Sequence, residues 1–188
     1  MPDQESARET LLAELREHAL VIGEVTLSSG RIAQYYVDAK RALLRPPAYR
    51  AAGVLVAAEA ADRGADAVGG MTMGADPLAC AAIGSEKGDG LVAFLVRKER
   101  KEHGLQRWIE GPELAAGTRC LVVEDVVTSG GSTVRAIERI REEGLEVAGV
   151  TAVVDRLAGG AEAIEEAAGA PYRPLLTIDD LYPDRPDR

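Results

Sequence analysis

Residues 118–156 hold the pattern that most narrows the possible folds. "TRCLVVED" is an apolar run closed by two acids, "GGSTVRAIERIREEG" has helical spacing, and "EVAGVTAVVDR" is a second apolar run. Neither run alternates apolar with polar residues, so each is expected to be a strand buried on both faces. Strands of that kind occur in parallel sheets covered by helices. The rest of the chain repeats the alternation. "PPAYRAAGVLVAAEAADRG" is an Ala-rich helix that starts after two prolines and stops at Gly64, and "ADAVGGMTM" is a buried strand. "GADPLACAAIGSEKG" turns into a helix with Pro77 in its first turn, and "GLVAFLVRK" is a further strand. Ahead of these, "ESARETLLAELREHAL" spaces Leu11, Leu12, Leu15 and Leu20 as one face of an amphipathic helix. The expected class is α/β with a mainly parallel sheet, and the tail "YPDRPDR" is expected to fray.

In such sheets ligands bind beyond the carboxyl ends of the strands. Three expected strands end in polar residues there: Arg97 and Lys98, Glu124 and Asp125, and Asp155 and Arg156. After the acids comes "VVTSGGST", in which Gly130 and Gly131 permit positive φ, so that successive N–H groups converge on an anion at a helix start. Carboxylates suit hydroxyls or a hydrated metal, and the glycine loop suits a phosphate. A phosphorylated sugar offers both. The loop lacks the Lys of a P-loop and the spacing of the dinucleotide fingerprint.

The 188 residues are 46% hydrophobic, enough for one domain with its own core. A net charge of −9 argues against broad binding to nucleic acid or anionic membranes, so any anion site must be local. Cys80 and Cys120 lack metal-ligand spacing and read as small buried hydrophobes in a reducing compartment. No apolar run approaches the roughly 18 residues of a membrane span, and no leader pattern opens the chain, so a soluble cytoplasmic protein is expected.

"CLVVEDVVTSGGST" resembles the phosphoribosyl pyrophosphate (PRPP) motif of type I phosphoribosyltransferases. The resemblance implies that fold, a mainly parallel central sheet flanked by helices with a small hood built largely from the N-terminal segment. It implies one domain over 1–188: helix and hood in 1–45, core in 46–176, and a mobile catalytic loop in 96–111. It places Glu124 and Asp125 on the ribose hydroxyls, with Asp125 catalytic. Thr128, Ser129, Gly130, Gly131, Ser132 and Thr133 wrap the 5-phosphate, Val126 and Val127 belong to the same PRPP-binding segment, and Mg²⁺ is held mainly by PRPP with Glu124, Asp125 or Asp76 reaching it through water.

"VRKERKEHGLQRWIEG", residues 96–111, resembles the catalytic loop of the orotate phosphoribosyltransferases. By matching position Arg97 and Lys98 contact pyrophosphate, while Lys101 and His103 act at the reaction centre, across a homodimer. "VTLSSGRIAQYYVDAKRAL" resembles the same family's base-pocket segment, and Tyr36, Thr128 and Arg156 are the expected orotate contacts. Many relatives carry Lys before "SGR", where this chain has Ser28 and Ser29; Lys40 or Arg41 is the candidate substitute. In "GGMTMGADPLA", Gly74, Ala75 and Asp76 occupy the place of the family's pyrophosphate loop without its usual Lys; the resemblance allows a strained cis peptide there, and an ordinary strand-to-helix turn stays equally open. The resemblance implies transfer of the phosphoribosyl group from PRPP to orotate in pyrimidine synthesis. A phosphoribosyltransferase for a purine or uracil, and a PRPP-sensing regulator of the same fold, remain open at this stage.

Overall fold

The computed structural model of the protein describes residues 3–26, 32–100 and 107–188. Helix α1 (Gln4–His18) begins where the Asp3 carboxylate accepts the Ser6 N–H at 2.8 Å, and it buries Ala7, Leu11 and Leu15. Leu20, expected on that helix, instead opens strand β1 (Leu20–Thr26), which pairs antiparallel with β2 (Ile32–Val37). A short helix α2 (Lys40–Leu43) leads to α3 (Pro46–Arg63), whose prolines need no intrahelical N–H partner in the first turn.

The core then alternates as expected. Strand β3 (Ala67–Met71), helix α4 (Asp76–Ile83) and strand β4 (Val92–Val96) are followed by a two-residue strand β5 (Ile109–Glu110). Strand β6 (Arg119–Val127), helix α5 (Gly131–Glu142) and strand β7 (Glu146–Asp155) form the βαβ unit at the centre. Helix α6 (Gly160–Ala168), strand β8 (Tyr172–Thr177) and helix α7 (Ile178–Leu181) complete the chain. These last three elements have no counterpart in the expectations from sequence, because short Ala- and Glu-rich segments carry little periodic signal.

Among the described residues six strands form one sheet in the order β5-β4-β3-β6-β7-β8, parallel except for β5. Chain order reverses between β3 and β6. A crevice therefore opens at their carboxyl ends, where α4 and α5 depart to opposite faces. Helix α5 is fixed against the sheet by Thr133, Ala136, Ile137 and Ile140, spaced to make one buried stripe. Each fully buried isoleucine there contributes about 1.5–3 kcal/mol.

Three further expectations need correction. Cys80 is exposed, because it lies on the outward side of α4, while Cys120 is buried and its thiol is pushed up to about 12 by burial and then by Asp66. The acids do not follow the end of a strand: β6 runs on to Val127, so both lie within it and are only 5% and 8% exposed. The tail does not fray as a unit. Tyr182 packs edge-on against Tyr35 with ring centroids 5.7 Å apart, and the Tyr35 hydroxyl donates to Asp187 at 3.1 Å. Among the described residues no helix is long and apolar enough to cross a membrane.

Candidate active site

The crevice is built on Glu124 and Asp125. Successive strand residues point to opposite faces, so the two carboxylates leave β6 on either side of its backbone. Glu124 turns toward α5, where it accepts the Thr133 hydroxyl at 3.3 Å, and Asp125 accepts the Lys40 ammonium at 3.0 Å. Burial and then the adjacent Asp125 raise the Glu124 pKa to about 7. Lys40 also pairs with Asp38 at 3.1 Å. Burial opposes its charge, but Asp125 and Asp38 together hold the ammonium above its usual range.

The loop after β3 lies directly against these acids. A Cβ at Gly74 would stand 2.5 Å from an Asp125 carboxylate oxygen and 3.0 Å from one of Glu124, so only glycine lets the loop approach this closely. The loop carries a cis peptide between Thr72 and Met73, one of the two alternatives left open from sequence. Ala75 is buried, and Asp76 starts α4. One Asp76 oxygen accepts the Thr72 hydroxyl at 2.6 Å; the other is buried without a hydrogen-bond partner among the described residues. Lys40, Asp38 and Asp76 also wall a cavity of about 680 Å³ with Met73, Pro77 and Cys80.

On the other side of the crevice Thr128 and Ser129 are exposed, while Gly130 has φ of 75°. Gly130 and Gly160 touch: a Cβ on either would lie 2.8 Å from backbone oxygen of the facing segment. Gly160 is thus a supporting residue that sequence reasoning missed, since a second Gly-Gly pair reads only as a turn. Ser132 is half-buried and Thr133 buried in the first turn of α5. Val126 and Val127 are strand residues; Val127 has its side chain in the core, and its carbonyl accepts the Arg156 N–H at 2.9 Å. That bond sets Arg156 beside Thr128.

At the base end, the Arg156 guanidinium lies 5.0 Å from the Tyr35 ring, and its Nε is buried without a hydrogen-bond partner among the described residues. Asp155, 3% exposed, accepts the Leu157 N–H at 2.7 Å, which fixes the turn carrying Arg156. Tyr36 is 38% exposed on the other side of β2. Tyr35, not Tyr36, therefore touches Arg156.

The basic stretch divides. Arg97 pairs with Glu110 at 3.1 Å, and Arg139 of α5 donates to the carbonyls of Arg97 and Lys98 at 2.6 and 2.9 Å. The Trp108 indole N–H donates to Glu142 at 2.7 Å, and the guanidiniums of Arg100 and Arg139 lie 4.9 and 4.2 Å from its ring. Lys101 and His103 lie outside the described residues, as do Ser28 and Ser29.

A buried acid pair, a hydroxyl- and glycine-rich loop at a helix start, and a second glycine loop against the acids, all at a sheet's switch point, define a phosphoribosyltransferase. The family model for the phosphoribosyl transferase domain matches residues 53–168. The chain is 51% identical over 175 residues to the orotate phosphoribosyltransferase of Corynebacterium glutamicum, covering 93% of this chain and 94% of that one. The crystal structure of the Mycobacterium tuberculosis orotate phosphoribosyltransferase with Fe(III) dicitrate superimposes with a TM-score of 0.84 at 47% identity, covering 94% and 99% of the two chains. The same enzyme crystallised with PRPP gives 0.78 at 42% identity, covering 93% and 98%. The chain belongs to the orotate phosphoribosyltransferase family.

Proposed function

We propose that this chain performs its family's reaction, the transfer of the 5-phosphoribosyl group from PRPP to orotate in pyrimidine biosynthesis, with the residues of the crevice in the following roles. Orotate nitrogen forms a bond to the anomeric carbon as the bond to pyrophosphate breaks, giving orotidine 5′-monophosphate. The contact of Asp125 with Gly74 carries the assignment, because it brings the acid and the pyrophosphate loop to one point.

The Thr128–Thr133 loop and the N-terminal end of α5 receive the 5-phosphate. Val126 and Val127 contribute through the backbone that leads into it. Glu124 and Asp125 take the ribose hydroxyls, and Asp125 stabilises positive charge that develops at the anomeric carbon. Gly74, Ala75 and Asp76 line the pyrophosphate side. Lys40 supplies a cation there, in place of the family's usual lysine. Arg97, Lys98, Lys101 and His103 serve the leaving group from the 96–111 loop, shared across a homodimer in the cytoplasm. Residues 1–188 act as one domain.

Thr128 and Arg156 hold the base, and the planar guanidinium suits the orotate carboxylate that uracil lacks. Tyr36 borders the same site. Mg²⁺ fits this donor set: Asp76 keeps one buried carboxylate oxygen free of partners, and Glu124 and Asp125 are within the same crevice. When bound, the metal neutralises the pyrophosphate leaving group.

Pyrophosphate release from PRPP with orotate, uracil, adenine and hypoxanthine tests the assignment. Turnover with orotate alone is expected; turnover with another base instead overturns the role of Arg156. Mixed dimers of Lys101→Ala and Asp125→Ala chains should regain one working site, and activity no higher than either parent would refute the shared loop.

A further inference from the structure

The C-terminal segment, read from sequence as a frayed tail, forms one wall of the cavity that holds Arg156. This cavity, about 340 Å³, is bounded by Ala33, Gln34, Tyr35, Arg156, Pro186 and Asp187. Tyr35, one of the lining residues, is only 3% exposed. Three contacts converge on that side chain. Tyr182 meets its ring at an interplanar angle of 86°, Asp187 accepts its hydroxyl at 3.1 Å, and Arg156 lies 5.0 Å from its centroid. Arg185, itself 9% exposed, ties the segment down by pairing with Asp179 and, at 3.2 Å, with Asp187.

The arrangement has a physical direction. A guanidinium against an aromatic face is held by the ring's quadrupole and loses freedom to swing, so the ring decides where the planar fork points. The ring is in turn decided by Tyr182 and Asp187. The Arg156 Nε N–H is buried without an acceptor among the described residues, a cost that a carboxylate entering the cavity removes. The phosphate-binding half meets this set at the backbone, where the Val127 carbonyl accepts the Arg156 N–H at 2.9 Å, while the contacts that orient the Arg156 guanidinium come from Tyr35.

We infer that Tyr35 is a positioning residue for substrate recognition, and that residues 182–187 hold it so that Arg156 presents its fork to the carboxylate of the base. This rests on the reading that Arg156 grips that carboxylate. The relay acts on base selection and leaves the phosphoribosyl end alone.

Steady-state kinetics of the full-length enzyme test it, with orotate and PRPP varied separately. Tyr35→Phe and Asp187→Ala each break the hydroxyl–carboxylate bond, and each should raise KM for orotate about three- to tenfold while kcat and KM for PRPP stay within about twofold. Tyr35→Leu removes the platform and should exceed both, with Tyr35→Phe recovering most of the loss. Because Asp187→Ala already removes the bond that Tyr35→Phe breaks, the double variant Tyr35→Phe/Asp187→Ala should match Asp187→Ala alone. The exposed Asp187 keeps the test open if the buried Tyr35→Leu fails to fold.

Unchanged orotate KM in Tyr35→Phe and Asp187→Ala, or an equal rise in KM for PRPP, overturns the inference. Arg156→Ala separates the two levels. If it leaves orotate KM unchanged, the carboxylate reading itself falls; if it raises KM but the Tyr35 and Asp187 variants do not, only the relay falls.

Discussion

The two halves of the crevice are stabilised in different ways. The phosphoribosyl floor is backbone and buried charge: two carboxylates inside a central strand, a glycine pressed on them, and a second glycine contact between Gly130 and Gly160. The base end is side chains and distant chain segments: a two-stranded ribbon, the arginine after β7 and the C-terminal tail. A floor fixed by backbone has no slack, whereas a pocket assembled from side chains adjusts by tenths of an ångström. Substitutions in the floor should therefore damage the chemical step, and substitutions at the base end should change only which base binds and how tightly.

Asp125→Asn is the largest blow to the floor. It keeps the shape and removes the charge that the proposed function sets against the anomeric carbon, so kcat should fall about 100- to 1,000-fold with the fold intact by circular dichroism. A fall confined to KM would dissolve the contrast between the halves. Gly74→Ala comes next. Its Cβ has no room beside the Asp125 oxygen at 2.5 Å, so the acid or the loop must shift, and a shift of about 1 Å costs about 100-fold in kcat/KM. Full activity in that variant would show the floor to be more pliant than described.

At the base end Arg156→Lys keeps the charge and loses the fork. KM for orotate should rise about tenfold, with PRPP binding by titration calorimetry unchanged. The smallest effect is on stability. The folded protein holds the Glu124 proton up to about pH 7, against an ordinary value of 4.5, so between those values the native state binds more protons than the unfolded chain. Stability from this group is present below 4.5 and lost as pH rises through 7. Melting of Glu124→Gln should match the parent near pH 4.5 and exceed it at pH 8; parallel curves would mean that Glu124 is ionised throughout.

The same contrast explains what could be read in the sequence. The floor is contiguous: residues 120–133 carry strand, acids, glycine loop and helix start in one segment, and local chemistry forces the arrangement. Even so, the strand's continuation to Val127 escaped, since acids read as a strand end and not as buried members of it. Gly74 was legible through the family pattern, but its contact with Asp125 is a packing fact. The base end joins residues more than 100 positions apart, such as Tyr35 with Arg156 and Asp187, and no local signal pairs them. That is why the contact of Tyr35 with Arg156 could not be read, and why a polar, proline-containing tail passed for disorder. Cys80 misled for a related reason: Ala-rich surroundings suggest burial, while helix phase decides it.

Helix α5 starts at the phosphate loop and, two turns on, grips the strand end of Arg97 and Lys98 through Arg139, with Trp108 joined to the same helix through Glu142 and Glu143. Trp108 is the one tryptophan of the chain. The molecule thus contains its own optical gauge, set where the helix meets the basic stretch. Indole emission should shift when PRPP is added and stay level with orotate alone, and Arg139→Ala should silence the signal; a titration followed at that single ring reads sugar-phosphate occupancy without any label.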